Sequence, residues 1–178
     1  MKNNTRTIVA IDPGNVQSGM VVMGGITALP ISLGKIDNKD LLKKITDLCN
    51  RNIIYPRDSI AVIEMVAHYG SGMPAGASVF DTCVWIGRFI QALKAENIPV
   101  YTLKRQAVKL NLCGQARAKD SNVTQALIDR FAKGQPNHGK GTKKDKGWFY
   151  GFKKDIWQAY ALGVTAIDLG IEKLEEQE

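Results

Sequence analysis

Two apolar runs of strand length, each ending on a carboxylate, constrain the fold of this chain more than any other feature. The first run covers residues 7–12 and stops before Pro13, because proline cannot donate a ladder hydrogen bond. The second run covers residues 59–64 and is apolar up to its last residue, which is typical of a strand covered on both faces. We therefore predict that Asp12 and Glu64 end two strands and lie side by side.

The rest of the chain predicts an α/β domain. Two short strands over residues 18–23 and 25–33, joined by a tight turn at Gly24-Gly25, follow the first strand as a β-meander. Helix and strand then alternate, as in α/β domains. Apolar periodicity predicts helices over 38–49, with Asn38 as the cap, and over 77–96, a strand over 98–103, and helices over 104–111, 118–131 and from Asp155 onward.

Length and charge narrow the class of protein. The 178 residues fit a single domain, 1–178, with a basic Gly- and Lys-rich insertion or loop at 133–154. The net charge is +7, and residues 101–154 alone carry 13 basic and 3 acidic residues, a net +10. Such a concentrated surplus indicates a polyanionic partner, and the ordinary apolar fraction of 44% excludes wholesale disorder.

Cysteine usage and hydropathy indicate the compartment. Cys49, Cys83 and Cys113 form no CxxC pair, so we interpret them as buried reduced thiols, which predicts a reducing, cytoplasmic location. No apolar run approaches 18 residues, so we expect neither secretion nor a membrane span.

Paired strand-end carboxylates are typical of a site for a hard cation such as Mg²⁺, which prefers oxygen ligands. Asp155 is the best third acid, because it opens the last helix and shares a helical face with Gln158 at the i, i+3 spacing. An ordinary helix cap is the competing interpretation of Asp155, since aspartate is favoured there.

Five motifs in order resemble those of the RuvC-type Holliday-junction resolvases, and the resemblance spans residues 7–167. One strand-turn DPG motif alone would also fit other ribonuclease H-like proteins and, loosely, actin-like ATPases. The ATPase alternative is poor, because the chain has no second Gly-rich phosphate loop. The motifs are IVAIDPG at 8–14, IAVIE at 60–64, RQAVK at 105–109, GQARAKDSNV at 114–123 and DIWQAYA at 155–161.

This resemblance implies a ribonuclease H-like fold, a mixed five-stranded sheet flanked by helices, and resolution of branched DNA by paired phosphodiester hydrolysis. It implies Mg²⁺, replaceable by Mn²⁺, with two ions per site held by Asp12, Glu64 and Asp155. The sequence departs from the family at Gln158, where a second helical acid is usual, so Gln158 could ligate only through a neutral oxygen. Symmetric cutting of a four-way junction implies a homodimer, and the helix over 80–93 is the candidate interface.

The same resemblance assigns Lys109 and Lys119 to the scissile phosphate. Taken singly, both are more simply solvated helix lysines. Tyr69 follows the second acid and could help to open the junction centre. The residues expected to contact DNA are Lys104, Arg105, Lys109, Arg117, Lys119, Lys140, Lys143, Lys144, Lys146 and Tyr69.

Three alternatives stay open on the sequence alone. A superfamily relative could cut RNA, forks or flaps, and the departure at Gln158 allows a catalytically weak protein that binds branched DNA. The 133–154 stretch could be a solvated flexible loop, although Trp148, Phe149 and Tyr150 beside its lysines favour DNA contact. The departed acid is also compatible with a bacteriophage that must debranch its DNA before packaging.

Overall fold

The computed structural model describes residues 7–67 and 76–175. A five-stranded sheet has the spatial order β3-β2-β1-β4-β5. The strands are β1 (Thr7–Asp12), β2 (Gln17–Gly24), β3 (Pro30–Asp37), β4 (Ser59–Met65) and β5 (Val100–Lys104). The helices are α1 (Asn38–Asn50), α2 (Ala77–Ala95), α3 (Arg105–Cys113), α4 (Asp120–Phe131) and α5 (Asp155–Glu175), with a short 3₁₀ turn at Pro136–Gly139.

The sheet is mixed, as predicted. Strand β1 pairs antiparallel with β2 and parallel with β4, while β2 and β3 are antiparallel and β4 and β5 are parallel. Alternate residues of a strand point to opposite faces, and β1 divides accordingly. Ile8 and Ala10 pack in the core beneath α3, α4 and α5, whereas Val9 and Ile11 pack in the core beneath α1 and α2.

Helix α5 contributes the most residues to the core that contains Ile8 and Ala10, and it lies against β1 and β2. Its approach is close at Gly163, where a Cβ atom would lie 2.4 Å from Met23 Cε. Tyr160 is fully buried and donates its hydroxyl to Ala28 O. This packing fixes the first turn of α5 relative to the end of β1.

The start of β3 and the capping residue of α1 differ from the sequence predictions. Strand β3 begins at Pro30 instead of residue 25, because a wider turn is closed by hydrogen bonds between Gly24 and Leu29 and between Ala28 and Gly24. The cap of α1 is Asp37, which accepts from Lys39 N–H, and not Asn38. Asn38 is instead buried, where it accepts from Ser18 Oγ and donates to Gly14 O.

The apolar side chains of α2 are only partly buried. Ile86, Phe89 and Leu93 face the core, whereas Phe80 and Val84 are 63% and 61% exposed. Cys83 is also exposed and Cys113 is half-buried, so the prediction of three buried thiols holds only for Cys49.

The 133–154 stretch has a packed base and an exposed tip. Phe149 and Phe152 are buried against Trp157 and Tyr160, and Trp148 stacks on Phe131. The solvated-loop interpretation is therefore wrong for the aromatic base, because those rings belong to the main core. Within the described ranges, no helix has the length and hydropathy needed to cross a membrane.

Candidate active site

The parallel pairing of β1 and β4 brings two sequence-predicted carboxylates to the same edge of the sheet. Ile11 pairs with Ile63, so Asp12 and Glu64 occupy the next position of each strand. Ala10 and Val62, two residues before Asp12 and Glu64, lie in the core beneath α5. Because every second side chain of a strand points to the same face, the side chains of Asp12 and Glu64 also point toward α5. Asp12 and Glu64 thus end adjacent strands on one face.

Burial disfavours the charged form of both carboxylates. It raises the pKa of Asp12 to about 7, and repulsion from Glu64 adds to this effect. Burial likewise raises the pKa of Glu64, although the nearby Arg105 guanidinium opposes the rise. The end of the sheet therefore holds two carboxyl groups close together in a place that destabilises their charged forms.

Asp155 reaches the same place because the sheet has a glycine at the required position. Gly19 pairs with Asp12 across β1 and β2, and the first turn of α5 lies directly over it. A Cβ atom on residue 19 would lie 2.5 Å from Asp155 O. Glycine here allows the close approach that sets Asp155 beside Asp12.

These elements enclose a cavity of about 380 Å³, which we name the acidic cavity. Gln158 lines it together with Asp12 and Asp155, so the sequence-predicted face of α5 does point into one site. Its lining residues are Asp12, Arg105, Asp120, Ser121, Thr124, Lys154, Asp155, Trp157 and Gln158.

Arg105 joins the acidic cavity to Glu64. Its guanidinium donates to Glu64 Oε1 at 3.2 Å and to Asp120 Oδ2 at 2.7 Å, and Lys109 Nζ lies 3.2 Å from the other Asp120 oxygen. Burial raises the pKa of Asp120, but the hydrogen bonds from Arg105 and Lys109 outweigh it and lower that pKa. Sequence reasoning missed Asp120, although its place beside Lys119 in the 114–123 motif was a usable signal.

A second cavity of about 390 Å³ adjoins the first through Arg105. We name it the basic cavity. Arg105, Gln106, Lys109, Ala116 and Arg117 line it, and three of these five side chains are cations. Three residues predicted to contact DNA, Arg105, Lys109 and Arg117, therefore share one surface.

Two cations of the site, Lys35 and Lys154, were not singled out from the sequence, and Lys154 lines the acidic cavity. Lys35 Nζ lies 2.6 Å from Asp155 Oδ2. Lys35 is on β3, where it pairs with Gly19, so Lys35, Gly19 and Asp12 form a row across the sheet. The sequence predicted a third strand that ended at residue 33, whereas β3 runs to Asp37, and this explains the omission.

The remaining predicted residues lie at the periphery. Lys104 is exposed at the end of β5, and Lys119 is exposed at the start of α4, where its N–H donates to Asn122 Oδ1. The tip of the 133–154 stretch, closed by a bridge between Gly141 and Lys146, carries the other lysines. These are Lys140, Lys143, Lys144 and Lys146. Tyr69 lies outside the described residues.

The carboxylates at this end of the sheet are ligands of the kind that a hard divalent cation prefers. Within residues 7–67 and 76–175, no three acidic, histidine or cysteine side chains converge closely enough to hold a metal ion as they stand. Asp12, Glu64 and Asp155 nevertheless offer oxygen donors, and a cation beside Asp12 and Glu64 would stabilise the charged forms that burial disfavours.

Comparison with known proteins supports the fold. The chain matches no protein-family profile and no curated protein sequence. It is similar to the solved structure of RuvC from Thermus thermophilus, with a TM-score of 0.66 and 15% identity over 94% of this chain and 97% of the other. The structure of T. thermophilus RuvC in complex with a Holliday-junction substrate matches with the same values. The fold is therefore the ribonuclease H-like α/β fold of RuvC, as predicted.

Proposed function

We propose that this chain is a divalent-metal-dependent endonuclease that resolves four-way DNA junctions and related branched DNA. The observation that carries the proposal is the meeting of Asp12, Glu64 and the first turn of α5 at one end of the sheet, beside the basic cavity. The similarity of the fold to RuvC, one structure of which holds a Holliday junction, supports the substrate class.

Asp12, Glu64 and Asp155 would hold two Mg²⁺ ions, with Mn²⁺ able to replace them, and Gln158 would add a neutral oxygen ligand. Mg²⁺, when bound, supplies activation of the attacking water and neutralisation of the leaving 3′ oxygen. Fixed carboxylates at strand and helix ends keep these ligands in place before DNA arrives, which lowers the reorganisation needed for reaction.

The cations of the chain act on the phosphates. Lys109, held at 3.2 Å from Asp120, and the exposed Lys119 would stabilise the charge that builds on the nonbridging oxygens. Lys104, Arg105 and Arg117 would hold the adjoining backbone, because phosphate contacts position DNA without reading its sequence. The lysines at the tip of the 133–154 stretch would extend this surface.

A homodimer would place two such sites on one junction. The exposed face of α2, with Phe80, Val84 and Cys83, is the candidate interface, because large exposed apolar side chains on one helix face commonly mark a contact surface. A Phe80→Glu, Val84→Glu variant is expected to sediment as a monomer where the wild type sediments as a dimer. A monomeric wild type at micromolar concentration would contradict the dimer.

A second candidate function is binding of branched DNA with weak cleavage. One observation favours it: Glu64 and Asp155 each pair with a cation of the chain, and Gln158 brings no charge to the cavity. In this case Gln158→Asp would raise cleavage strongly from a nearly inactive parent. A parent that already cuts junctions efficiently would exclude it.

The decisive experiment incubates end-labelled four-way, three-way, flap, linear and RNA–DNA substrates with the protein and Mg²⁺, followed by denaturing gels. Paired symmetric nicks restricted to the four-way junction are expected. Cleavage confined to flaps, forks or RNA would replace the proposed substrate, and the absence of cleavage with tight junction binding would favour the second candidate.

A further inference from the structure

We infer that Lys35 is a tethered counterion of the acidic cavity: it holds Asp155 in the free protein, a DNA backbone phosphate draws it away, and DNA binding thereby strengthens divalent-cation binding. The inference rests on the proposed function, because it assigns cations to Asp155 and DNA to the surface beside it.

The position of Lys35 is set by the sheet. Lys35 pairs with Gly19 and Gly19 pairs with Asp12, so the three residues lie in one row. Asp155 begins α5 above Gly19, which brings its Oδ2 atom 2.6 Å from Lys35 Nζ. The lysine therefore reaches a candidate cation ligand from the strand at the sheet edge.

The ion pair lies at the border between the protein and solvent. The Lys35 side chain is 37% exposed and the Asp155 side chain is 35% exposed. A lysine at an edge strand carries its charge on a flexible four-carbon stem, so its ammonium can leave Asp155 without movement of the sheet. A DNA strand that crosses this edge can reach it directly.

Arg105 provides an internal contrast. It also contacts a candidate ligand, Glu64, but it is retained by a shorter contact of 2.7 Å to Asp120. Among the described residues, Lys35 forms an ion pair with one acid, Asp155. Of the two cations, Lys35 is therefore the one that a phosphate can recruit by a simple exchange of partners.

The exchange has a defined electrostatic consequence. While Lys35 lies against Asp155, the ammonium repels an incoming divalent cation and engages one carboxylate oxygen. A backbone phosphodiester carries one negative charge, so it can replace the carboxylate as the partner of Lys35 and release Asp155. Because coupling between two ligands is reciprocal, the cation must then strengthen DNA binding by the same factor.

The first test needs no DNA and no cleavage. Mn²⁺ is titrated into the full chain, and free Mn²⁺ is measured by electron paramagnetic resonance for the wild type, Lys35→Met and Lys154→Met. Lys154 lines the same cavity, so its variant measures the general effect of removing one positive charge. Lys35→Met is expected to bind Mn²⁺ about three- to tenfold more tightly, with less than half of that gain in Lys154→Met. No gain, or an equal gain in both variants, would overturn the inference.

The second test measures the coupling. The affinity for a fluorescent four-way junction is determined in EDTA and in Ca²⁺, with denaturing gels of the same samples to identify cut DNA. Ca²⁺ should tighten wild-type binding, and Lys35→Met should reduce that tightening about threefold or more. An unchanged ratio in Lys35→Met would refute the exchange of partners. Lys35→Gln, checked by its melting temperature, repeats both tests with a polar side chain.

The two proposals fail separately. A wild type that cuts no junction, together with tighter Mn²⁺ binding by Lys35→Met, would reject the nuclease while leaving Lys35 as the counterion of Asp155. Efficient cleavage with unaltered Mn²⁺ binding in Lys35→Met would retain the nuclease and reject the role of Lys35.

Discussion

The acidic and basic cavities have nearly the same volume, about 380 and 390 Å³, and share Arg105, yet they are built in different ways. The acidic cavity draws Asp12 from β1, Asp120 from α4 and Asp155 from α5. The basic cavity is built from α3 and the loop that follows it, within residues 105–117. One cavity therefore depends on long-range packing, and the other on a short stretch of chain.

This difference separates two kinds of charge. Of the acids that line the first cavity, Asp155 and Asp120 are partly exposed, but burial raises the pKa of Asp12, so a ligand or the cations of the chain must offset the cost of its charged form. The basic cavity has no carboxylate among the described residues that line it, which is typical of a surface that binds anions. We therefore expect substitutions in the acidic cavity to affect chemistry and substitution of Arg117 in the basic cavity to affect binding, whereas Lys109 serves the chemistry from the basic cavity.

The largest effect tests that division. Asp12→Asn, or Glu64→Gln, should reduce junction cleavage about a thousandfold or more, because each removes a charged ligand from the proposed metal set. Junction binding in a gel-shift assay should change less than about threefold, since neither acid contacts the backbone in the proposal.

Asp129→Asn is the matched control for this prediction. Asp129 is an exposed acid of α4 that accepts from Gln125, away from both cavities. Its cleavage should match the wild type. Full activity in Asp12→Asn would contradict the assignment of Asp12 as a metal ligand. An equal loss of junction binding would show that the acidic cavity also serves DNA binding.

The second prediction concerns the stability of the fold and follows from the pKa of Asp12, which burial raises to about 7. In metal-free protein the folded state retains a proton on Asp12 that the unfolded state gives up near its ordinary pKa. The free energy of unfolding should therefore fall as pH rises from the ordinary pKa of an aspartate to about 7, and it should level off above that. The expected fall between about pH 5 and about pH 8 is about 2 kcal/mol.

Asp12→Asn should lose this pH dependence and be the more stable protein at about pH 8 in EDTA. Urea unfolding of both proteins at the two pH values measures the difference. An Asp12→Asn variant less stable than the wild type at the higher pH would contradict the view that the acidic cavity is a cost in the absence of its cation.

The third effect belongs to the basic cavity. Arg117→Ala should weaken junction binding about three- to tenfold and reduce the slope of log affinity against log salt by about one, since one phosphate contact is lost. Arg51→Ala, at the exposed end of α1, is the control and should leave both quantities unchanged. An unchanged salt slope in Arg117→Ala would remove Arg117 from the DNA surface.

The smallest effect concerns an ion pair outside both cavities. Arg130 donates two hydrogen bonds to Asp168, and Asn111 donates a third. Burial raises the pKa of Asp168, but these hydrogen bonds outweigh it and the net shift is downward. Because the pair is partly exposed, Asp168→Asn should cost about 1 kcal/mol or less at neutral pH.

The sign of the Asp168 effect is opposite to that of Asp12. A carboxyl with a lowered pKa stabilises the fold above its ordinary pKa and loses that contribution as pH falls through the lowered value. Thermal unfolding of Asp168→Asn and wild type should therefore converge in acid. Cleavage should be unaltered, and a clear loss of cleavage would extend the functional region to the far end of α5.

Much of the architecture was predictable because it follows from local periodicity. The strand ends at Asp12 and Glu64, the alternation of helix and strand and the start of α5 at Asp155 are visible in the pattern of apolar residues. The errors arose where side-chain contacts at a distance decide. Asn38 resembles a cap in sequence, but its amide is used to tie down the loop after Asp12. Cys83 and Cys113 were interpreted as buried thiols, but in the structure the first is exposed and the second is half-buried.

The sequence by itself determined the kinds of chemistry present: apolar strands that end in acids, a helix that opens on Asp155, and a basic stretch. Tertiary structure decided how those charges are paired. The sheet order placed Lys35 beside Asp155, and the packing of α4 placed Asp120 between Arg105 and Lys109. The physical reason is that Coulomb interactions act over a few ångströms in space, whereas these partners lie 11 to 120 residues apart in the chain.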